Sequence, residues 1–301
     1  MPEDVLKALK ASLRKEEKGS SAAVVLKTIL DNCAIAAKRG TPLCQDTGTL
    51  TFFVDERLRR KVTPAALKEA VAIATEKGCL RRNTIDAVTG RSYDDNCAEG
   101  APVVHYVEGR RGSRPTVTLI MKGGGSENMS RQYSLPDAAL GAGRDLAGVR
   151  KCVLDAVQKI QGYGCAPGSL GVCIGGDRAT GFEVAKEQLL RPLDGSDEGD
   201  AADAERKSLA KLEKQLLKEA NALGIGPMGL GGKTTLLGVK VAARPRVPAS
   251  FFVTVAYMCW ACRRRTAVLS PAVGCRSSAV DKGRQGGDKR QATADKRNKR
   301  G

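Results

Sequence analysis

The sequence has little histidine, few aromatic residues and no long hydrophobic run. His105 is the only histidine in 301 residues, which excludes zinc sites built on several histidines. Aromatic residues make up 4 %, so the chain has few of the stacking surfaces that single-strand nucleic-acid binders use. The longest apolar run, residues 249–260, is about half the ~20 residues that a membrane-spanning helix needs. The first residues lack the features of a secretory signal. We therefore expect a protein without a membrane span, in the cytoplasm or an organelle matrix.

Positive charge is abundant but unevenly distributed. Fifty Lys and Arg residues against 33 Asp and Glu give a net charge of +17, which would suit a nucleic-acid or acidic-membrane partner. Residues 263–301 carry twelve of the basic and three of the acidic residues, so +9 lies in this stretch and +8 in the other 262 residues. Residues 276–301 have almost no apolar content and are predicted to be disordered. They are either an anion-binding arm or, as the composition favours, a solvated extension or a wrongly assigned chain end.

Ten cysteines without an export signal indicate free thiols rather than a disulfide framework. For most of them, burial as a small hydrophobic residue is the simplest role. Cys44, Cys165 and Cys259 differ, because each lies at the edge of a predicted element beside glycine, proline or polar residues. Loops of this kind carry metal and cluster ligands, although the spacings match no short metal motif. Cys262 completes a Cys-x-x-Cys pattern, but nothing around it resembles a thioredoxin unit.

Hydrophobic periodicity and turn residues predict a mixed α/β (α+β) fold. Two helices are expected within residues 3–38, and four more at 64–77, 149–160, 181–190 and 201–222. Strands are expected at 50–54, 103–107, 117–121, 170–174 and 235–242.

Common nucleotide and hydrolase motifs are missing. The glycine-rich segment 224–235 ends in Gly-Lys-Thr, but Pro227 stands where a P-loop requires its first glycine. No dinucleotide-binding glycine pattern follows the first strand, and no nucleophile elbow is found. The glycine-rich loops are instead candidates for binding an anion through backbone N–H groups.

Several long stretches of the chain resemble class I, iron–sulfur-dependent fumarate hydratases and the related L-tartrate dehydratase α subunits. The resemblance runs in order from about residue 10 to 265 and rests on residues 42–49 (PLCQDTGT), 121–128 (MKGGGSEN), 164–180 (GCAPGSLGVCIGGDRAT), 224–235 (GIGPMGLGGKTT) and 248–261 (PASFFVTVAYMCWA). It implies a single globular catalytic domain of the iron–sulfur hydro-lyase N-terminal type at 1–265, followed by a disordered basic tail at 266–301.

The resemblance also implies a cofactor and a set of site residues. A [4Fe–4S] cluster would be held by Cys44, Cys165 and Cys259, which leaves one iron open as a Lewis acid for a substrate hydroxyl. Gln45 and Asp46 would contact the dicarboxylate, with Asp46 as the proton-transfer group. Arg81 would bind a substrate carboxylate and Gly125 would offer its N–H. These features imply an oxygen-sensitive lyase that interconverts fumarate and (S)-malate, as in the tricarboxylic acid cycle.

The family pattern further implies a partner. Its members need a β subunit or a C-terminal β domain, which supplies more carboxylate-binding residues and a threonine proposed to be catalytic, and we expect an oligomer that is inactive without this module. Two alternatives stay open: an L-tartrate dehydratase α subunit, which no residue here distinguishes, and a nucleic-acid-binding protein acting through its basic tail, which the low aromatic content disfavours.

Overall fold

A computed structural model describes residues 1–109, 112–195 and 204–269. These ranges contain seven α-helices and eight β-strands. The helices are α1 (Glu3–Lys15), α2 (Ser21–Arg39), α3 (Pro64–Glu76), α4 (Gly124–Asn128), α5 (Leu146–Ile160), α6 (Arg178–Gln188) and α7 (Ala204–Ala222). The strands are β1 (Thr49–Asp55), β2 (Val103–Val107), β3 (Thr116–Lys122), β4 (Arg131–Ser134), β5 (Gly168–Gly175), β6 (Leu236–Arg244), β7 (Phe252–Met258) and β8 (Arg263–Val268).

Local side-chain chemistry explains where several helices begin and end. The Ser20 hydroxyl accepts a hydrogen bond from the Ala23 N–H at the start of α2, and Gly40 ends that helix in the left-handed conformation. Thr63 caps α3 in the same way, with Pro64 in the first helical position, where its missing N–H costs nothing. The Asp145 carboxylate caps α5 by accepting from the Gly148 N–H.

The first sheet has the strand order β2-β1-β3-β8. Strand β1 runs parallel to β2 and antiparallel to β3, and β8 forms the other edge by pairing antiparallel with β3. All residues of β1 after Thr49 are buried, which explains its nearly continuous apolar sequence. The register places Met121 opposite both Leu50 of β1 and Arg263 of β8.

The second sheet has the strand order β4-β7-β5-β6. Strand β5 is central, runs parallel to β6 and antiparallel to β7, and is buried at every position. Gly171 of β5 lies so close to the Ala185 carbonyl of α6 that a side chain would collide with it. A glycine at this position therefore allows α6 to pack directly on the sheet.

Three hydrophobic cores lie between the layers of the molecule. Helices α5 and α7 cover one face of the second sheet, and α1, α2 and α6 cover its other face. Phe53 and Ile120 of the first sheet join this second core, so the helices α1, α2 and α6 lie between the two sheets. Helix α3 closes the outer face of the first sheet with Leu67 and Val71.

The structure confirms the predicted mixed α/β class and adds elements that the patterns did not predict. Strands β4, β7 and β8 and the short helix α4 have no counterpart among the expected elements, although β7 lies within the apolar run 249–260. Strand β8 runs to Val268, so the expected boundary at residue 265 falls inside a strand. Residues 270–301, which make up nearly all of the expected disordered tail, lie outside the described residues. None of the helices in the described ranges is long and apolar enough to cross a membrane.

The layered packing predicts a strong dependence of stability on α7. Leu216 is fully buried in the core between α7 and the second sheet, so Leu216→Ala should lower the free energy of unfolding by about 2–5 kcal/mol. Leu146, in the first turn of α5, is 52 % exposed, and Leu146→Ala should cost less than about 1 kcal/mol. Urea denaturation of both variants measures the difference, and equal losses would contradict this packing.

Candidate active site

The loop that precedes β1 is held against the end of β3. Gly48 has a φ of 76°, in the left-handed region that favours glycine. A Cβ atom on Gly48 would collide with the backbone carbonyl of Lys122, the last residue of β3. This close approach places Cys44, Gln45 and Asp46 beside the glycine-rich segment that follows β3.

Asp46 is fixed from two sides. Its Oδ2 atom accepts a hydrogen bond of 2.8 Å from the N–H of Gly124, the first residue of α4. Its backbone carbonyl accepts a hydrogen bond from the guanidinium of Arg263 in β8. Asp46 also lines a cleft of about 410 Å³ together with Gly48, Asn83 and Thr84. The Asp46 carboxylate is therefore held in a fixed position at the edge of this cleft.

The predicted carboxylate-binding residues lie around the same loop. The Arg81 N–H donates a hydrogen bond of 2.8 Å to Thr47 Oγ1, and the side-chain amide of Asn83 donates to the Gly48 carbonyl at 3.4 Å. Arg81 and Gln45 are exposed. Within the described ranges, the Arg81 guanidinium has no hydrogen-bond or ion-pair partner. Gly125 is exposed, with open space beside its α-carbon. Gln45, Arg81 and Gly125 are therefore accessible to a ligand from the solvent.

Cys165 and Cys259 come together through backbone contacts. Cys165 follows α5 with a left-handed φ of 53°, and its carbonyl accepts a hydrogen bond of 3.4 Å from the Trp260 N–H. The Cys259 N–H in turn donates to Ser126 Oγ in α4 at 3.1 Å. Segments that are far apart in the sequence thus meet around α4.

The pKa of Cys165 indicates that Cys44 lies near it as well. Burial raises the pKa of the Cys165 thiol, and the charges of Cys259 and Cys44 raise that pKa further. Cys165 therefore lies within electrostatic range of both Cys259 and Cys44. Cys262, by contrast, is buried under Arg264, and burial raises the pKa of its thiol to about 11.

The structure adds a buried lysine that sequence reasoning missed. Lys122 is 2 % exposed, and its Nζ donates to Glu127 Oε2 at 3.0 Å and to Ser130 Oγ at 3.2 Å. Burial lowers the pKa of Lys122 to about 8, against the opposing effects of Glu127 and the more distant Cys259. Lys186 reaches the other oxygen of Glu127 at 2.7 Å. A strand end followed by three glycines was the available signal, but lysine at such a position is usually exposed.

A buried tyrosine is the second residue that sequence reasoning missed. Tyr257 is 1 % exposed, and its hydroxyl has no hydrogen-bond partner among the described residues. The ring fills the space left by Gly164 and Gly168, where a side chain would collide with it. Burial raises the pKa of Tyr257 well above its usual value, and the charges of Cys259 and Cys165 add to this effect.

The donor atoms of this site are of the type that an iron–sulfur cluster uses. In the described ranges, no group of three or more His, Cys, Asp or Glu side chains is arranged to hold one metal ion. Three thiolates are the ligands that iron–sulfur clusters use, and each would bind a different iron. The unpartnered Tyr257 hydroxyl and the Lys122 ammonium offer a hydrogen bond and a positive charge to such an anionic group.

Comparison with known proteins identifies the family. The family model described as Fumarate hydratase (Fumerase) matches residues 1–268. The chain belongs to the fumarate hydratase (fumerase) family. A putative class I fumarate hydratase from Geobacillus stearothermophilus is 45 % identical over 91 % of this chain and 53 % of its own length. The chain therefore spans about half the length of this relative.

Two further relatives match over most of their own length. The putative L(+)-tartrate dehydratase subunit alpha of Methanocaldococcus jannaschii is 33 % identical over 88 % of this chain and 90 % of the relative. The L(+)-tartrate dehydratase subunit alpha of Escherichia coli (strain UTI89 / UPEC) is 31 % identical, over 88 % and 84 % respectively. These matches confirm the resemblance inferred from the motifs, whereas the role of each site residue stays a prediction.

The contact between Gly48 and Lys122 can be tested with a matched pair of glycines. Gly48→Ala and Gly40→Ala both place alanine at a positive φ, which costs about 1–2 kcal/mol. Only Gly48→Ala also forces a side chain into backbone, so its free energy of unfolding should fall by about 1–3 kcal/mol more. Urea denaturation of the two variants gives this difference. If Gly40→Ala is as destabilised as Gly48→Ala, the loop is not held by this contact.

Proposed function

We propose that this chain is the catalytic α part of a [4Fe–4S]-dependent hydro-lyase that interconverts fumarate and (S)-malate. The observation that carries the proposal is the convergence of Cys44, Cys165 and Cys259 around α4, next to Asp46. Membership of the fumarate hydratase family supports the reaction type.

Cys44, Cys165 and Cys259 would hold the cluster. When bound, a cluster with three protein ligands supplies one open iron as a Lewis acid for the substrate hydroxyl. Lys122 would balance part of the negative charge of the thiolates and sulfides from its buried position. Because Cys165 is exposed, dissolved oxygen would reach this site, and we expect the loaded enzyme to be oxygen-sensitive.

The substrate would bind between the loop that carries Cys44, Gln45 and Asp46, called the cysteine loop below, and the segment that carries Arg81. The unpaired Arg81 guanidinium suits a bidentate contact with one carboxylate, and the Gly125 N–H and the Gln45 amide add hydrogen-bond donors. In the dehydration direction Asp46 accepts the proton from the carbon next to the hydroxyl-bearing carbon, and the electron pair of that C–H bond forms the double bond. The hydroxyl leaves as hydroxide and becomes water by taking up a proton from the solvent. In the hydration direction Asp46 returns that proton to the double bond.

A second module would complete the enzyme. The class I relative is about twice as long as the aligned region, and the tartrate dehydratase relatives are named as alpha subunits. We therefore expect a β subunit or domain to bind near the exposed Cys165 and to supply groups that this chain lacks, and we expect an oligomer in the reducing cytoplasm or an organelle matrix.

L-Tartrate dehydration is the second candidate activity. The tartrate dehydratase alpha subunits are 31–33 % identical to this chain over 88 % of it, so the chain resembles them in addition to the class I relative. Turnover of (S)-malate and L-tartrate by the chain with its β module distinguishes the two activities. A kcat/KM for tartrate that exceeds the value for malate would overturn the fumarate assignment.

Substitution of the cysteines tests the cluster. After anaerobic reconstitution with iron and sulfide, Cys44→Ser, Cys165→Ser and Cys259→Ser should each lose the visible absorbance of the cluster and most of the bound iron. Cys262→Ser is the matched control, since Cys262 is buried nearby and is not one of the three. An unchanged spectrum in any of the first three variants would contradict the ligand set.

Asp46→Asn tests the proton-transfer group. An amide can still accept the hydrogen bond from Gly124 but cannot take up a proton, so kcat should fall by about 10²–10⁴-fold while the cluster spectrum is unchanged. Asp94→Asn, an exposed carboxylate paired with Arg82, is the control and should leave kcat within about twofold. Both are measured with the β module present. A kcat for Asp46→Asn close to that of the wild type would remove Asp46 from the reaction.

A further inference from the structure

Asn96 is a buried polar residue that the functions described so far do not use. It lies between α3 and β2, is 0 % exposed and has a left-handed φ of 60°. Asparagine is one of the few residues besides glycine that adopts this conformation readily. A fully buried amide in such a position needs hydrogen-bond partners for both of its ends.

The side-chain amide of Asn96 meets this need completely. Its Oδ1 accepts from the N–H groups of Asn83 at 2.8 Å and Thr84 at 3.1 Å. Its Nδ2 donates to the Arg81 carbonyl at 3.0 Å and to Thr75 Oγ1 at 3.1 Å. Two lone pairs and two hydrogens are all that an amide group offers, so this group is saturated.

These hydrogen bonds fasten the Arg81 segment to the rest of the fold. Thr75 is a buried residue of α3 whose hydroxyl donates to the Val71 carbonyl at 2.8 Å, so Asn96 ties residues 81–84 to that helix. On the opposite side the Arg81 N–H is bonded to Thr47, which follows Asp46. The backbone of Arg81 is thus held between α3 and the cysteine loop.

The held segment also forms a wall of the cleft at Asp46. Asn83 and Thr84, whose N–H groups bind Asn96, line this cleft. The backbone of Arg81 is fixed while its guanidinium stays unpaired within the described ranges. A side chain on a fixed backbone loses less conformational entropy when it binds a ligand. A fixed backbone with an unpaired guanidinium therefore suits an arginine that binds a ligand from a defined position.

We infer that Asn96 is a positioning residue that sets the place of Arg81 for a substrate carboxylate. The inference rests on the proposed function, in which Arg81 binds one carboxylate of a C4 dicarboxylate. Asn96 touches no ligand itself and acts only through the Arg81–Thr84 backbone.

Asn96→Asp is the sharpest change. Aspartate has nearly the same shape and still accepts from Asn83 and Thr84. It cannot donate to the Arg81 carbonyl, and it places negative charge against that oxygen. With the cluster-loaded chain and its β module, the KM for fumarate and for (S)-malate should rise by about tenfold, with kcat within about twofold.

A double substitution separates positioning from a general structural effect. Arg81→Ala should raise KM further than Asn96→Asp does, and Asn96→Asp should add less than about twofold in the Arg81→Ala background. Non-additivity of this kind is the mark of two residues that act through one contact. If Asn96→Asp raises KM by the same factor in both backgrounds, Asn96 does not act through Arg81 and the inference is overturned.

Asn221→Asp is the matched control. Asn221 Oδ1 also accepts two backbone N–H groups, those of Thr235 and Leu236, each at 2.8 Å, and its Nδ2 donates to the Leu236 carbonyl at 3.2 Å. Asn221→Asp should lower the melting temperature without the KM effect. If it raises KM as much as Asn96→Asp, the effect is general destabilisation and the inference is overturned.

A variant that fails to fold, a failure of the proposed function and a failure of the role of Asn96 give different results. If Asn96→Asp does not fold, Thr75→Val replaces it, because valine removes only the hydroxyl that accepts from Nδ2 and should give a smaller rise of KM with the same non-additivity. If the wild-type complex turns over no dicarboxylate, the proposed function itself fails. If the wild type is active and both variants keep its KM, the function stands and only the role of Asn96 is wrong.

Discussion

The close contact between Gly48 and the Lys122 carbonyl is the constraint on which the site depends. It joins the loop before β1 to the end of β3, and from this junction the chain continues directly into α4. The Gly124 N–H at the start of α4 then binds Asp46, and Ser126 in the same helix accepts from the Cys259 N–H. One backbone contact therefore aligns the first cysteine, the carboxylate and the third cysteine. A side chain at position 48 would collide with the Lys122 carbonyl and so disturb this junction.

The buried lysine at this junction is stabilised by an ion pair. A buried ammonium is costly unless it is paired, and Glu127 pairs with both Lys122 and Lys186. Burial alone would raise the pKa of Glu127, but the two lysines hold it below its usual value. The group of two lysines and one glutamate carries a net positive charge beside Cys259. Three thiolates brought together repel one another, so a compensating cation close by lowers the cost of assembling them.

Sequence patterns predicted those elements whose own residues determine them. The apolar run of β1 and the Thr-Pro start of α3 are local signals, and the structure confirms both. Helix α4 begins with Gly124 and Gly125, the poorest helix formers after proline, and exists because Asp46 binds its first N–H. Strand β8 begins with three arginines and becomes a strand through its pairing with β3. Both depend on tertiary partners, which local periodicity does not contain.

The same distinction applies to the site. Motif resemblance pointed to Cys44, Cys165 and Cys259 but gave no reason to expect a buried Lys122, an unpartnered Tyr257 hydroxyl or a saturated Asn96. Each of these three has a polar side chain that is buried by its contacts in the assembled fold: Glu127 and Ser130 around Lys122, Gly164 and Gly168 against the ring of Tyr257, and the 81–84 segment around Asn96. Burial of this kind is a property of the assembled fold, so a single sequence without structure does not reveal it.

The cations of the described site are themselves an argument for a second module. A C4 dicarboxylate carries two negative charges, and each carboxylate taken out of water needs a cationic or hydrogen-bonding partner. Lys122 and Lys186 are paired with Glu127. Arg263 donates to the neutral Asp46 carbonyl, and its buried Nε has no hydrogen-bond partner among the described residues. Arg81 alone, among these basic residues, has a guanidinium without a partner in the described ranges. One such group suits one carboxylate, and in the proposed enzyme the second carboxylate would therefore meet basic residues of the β module. In line with this proposal, a class I relative is about twice as long as the region it shares with this chain.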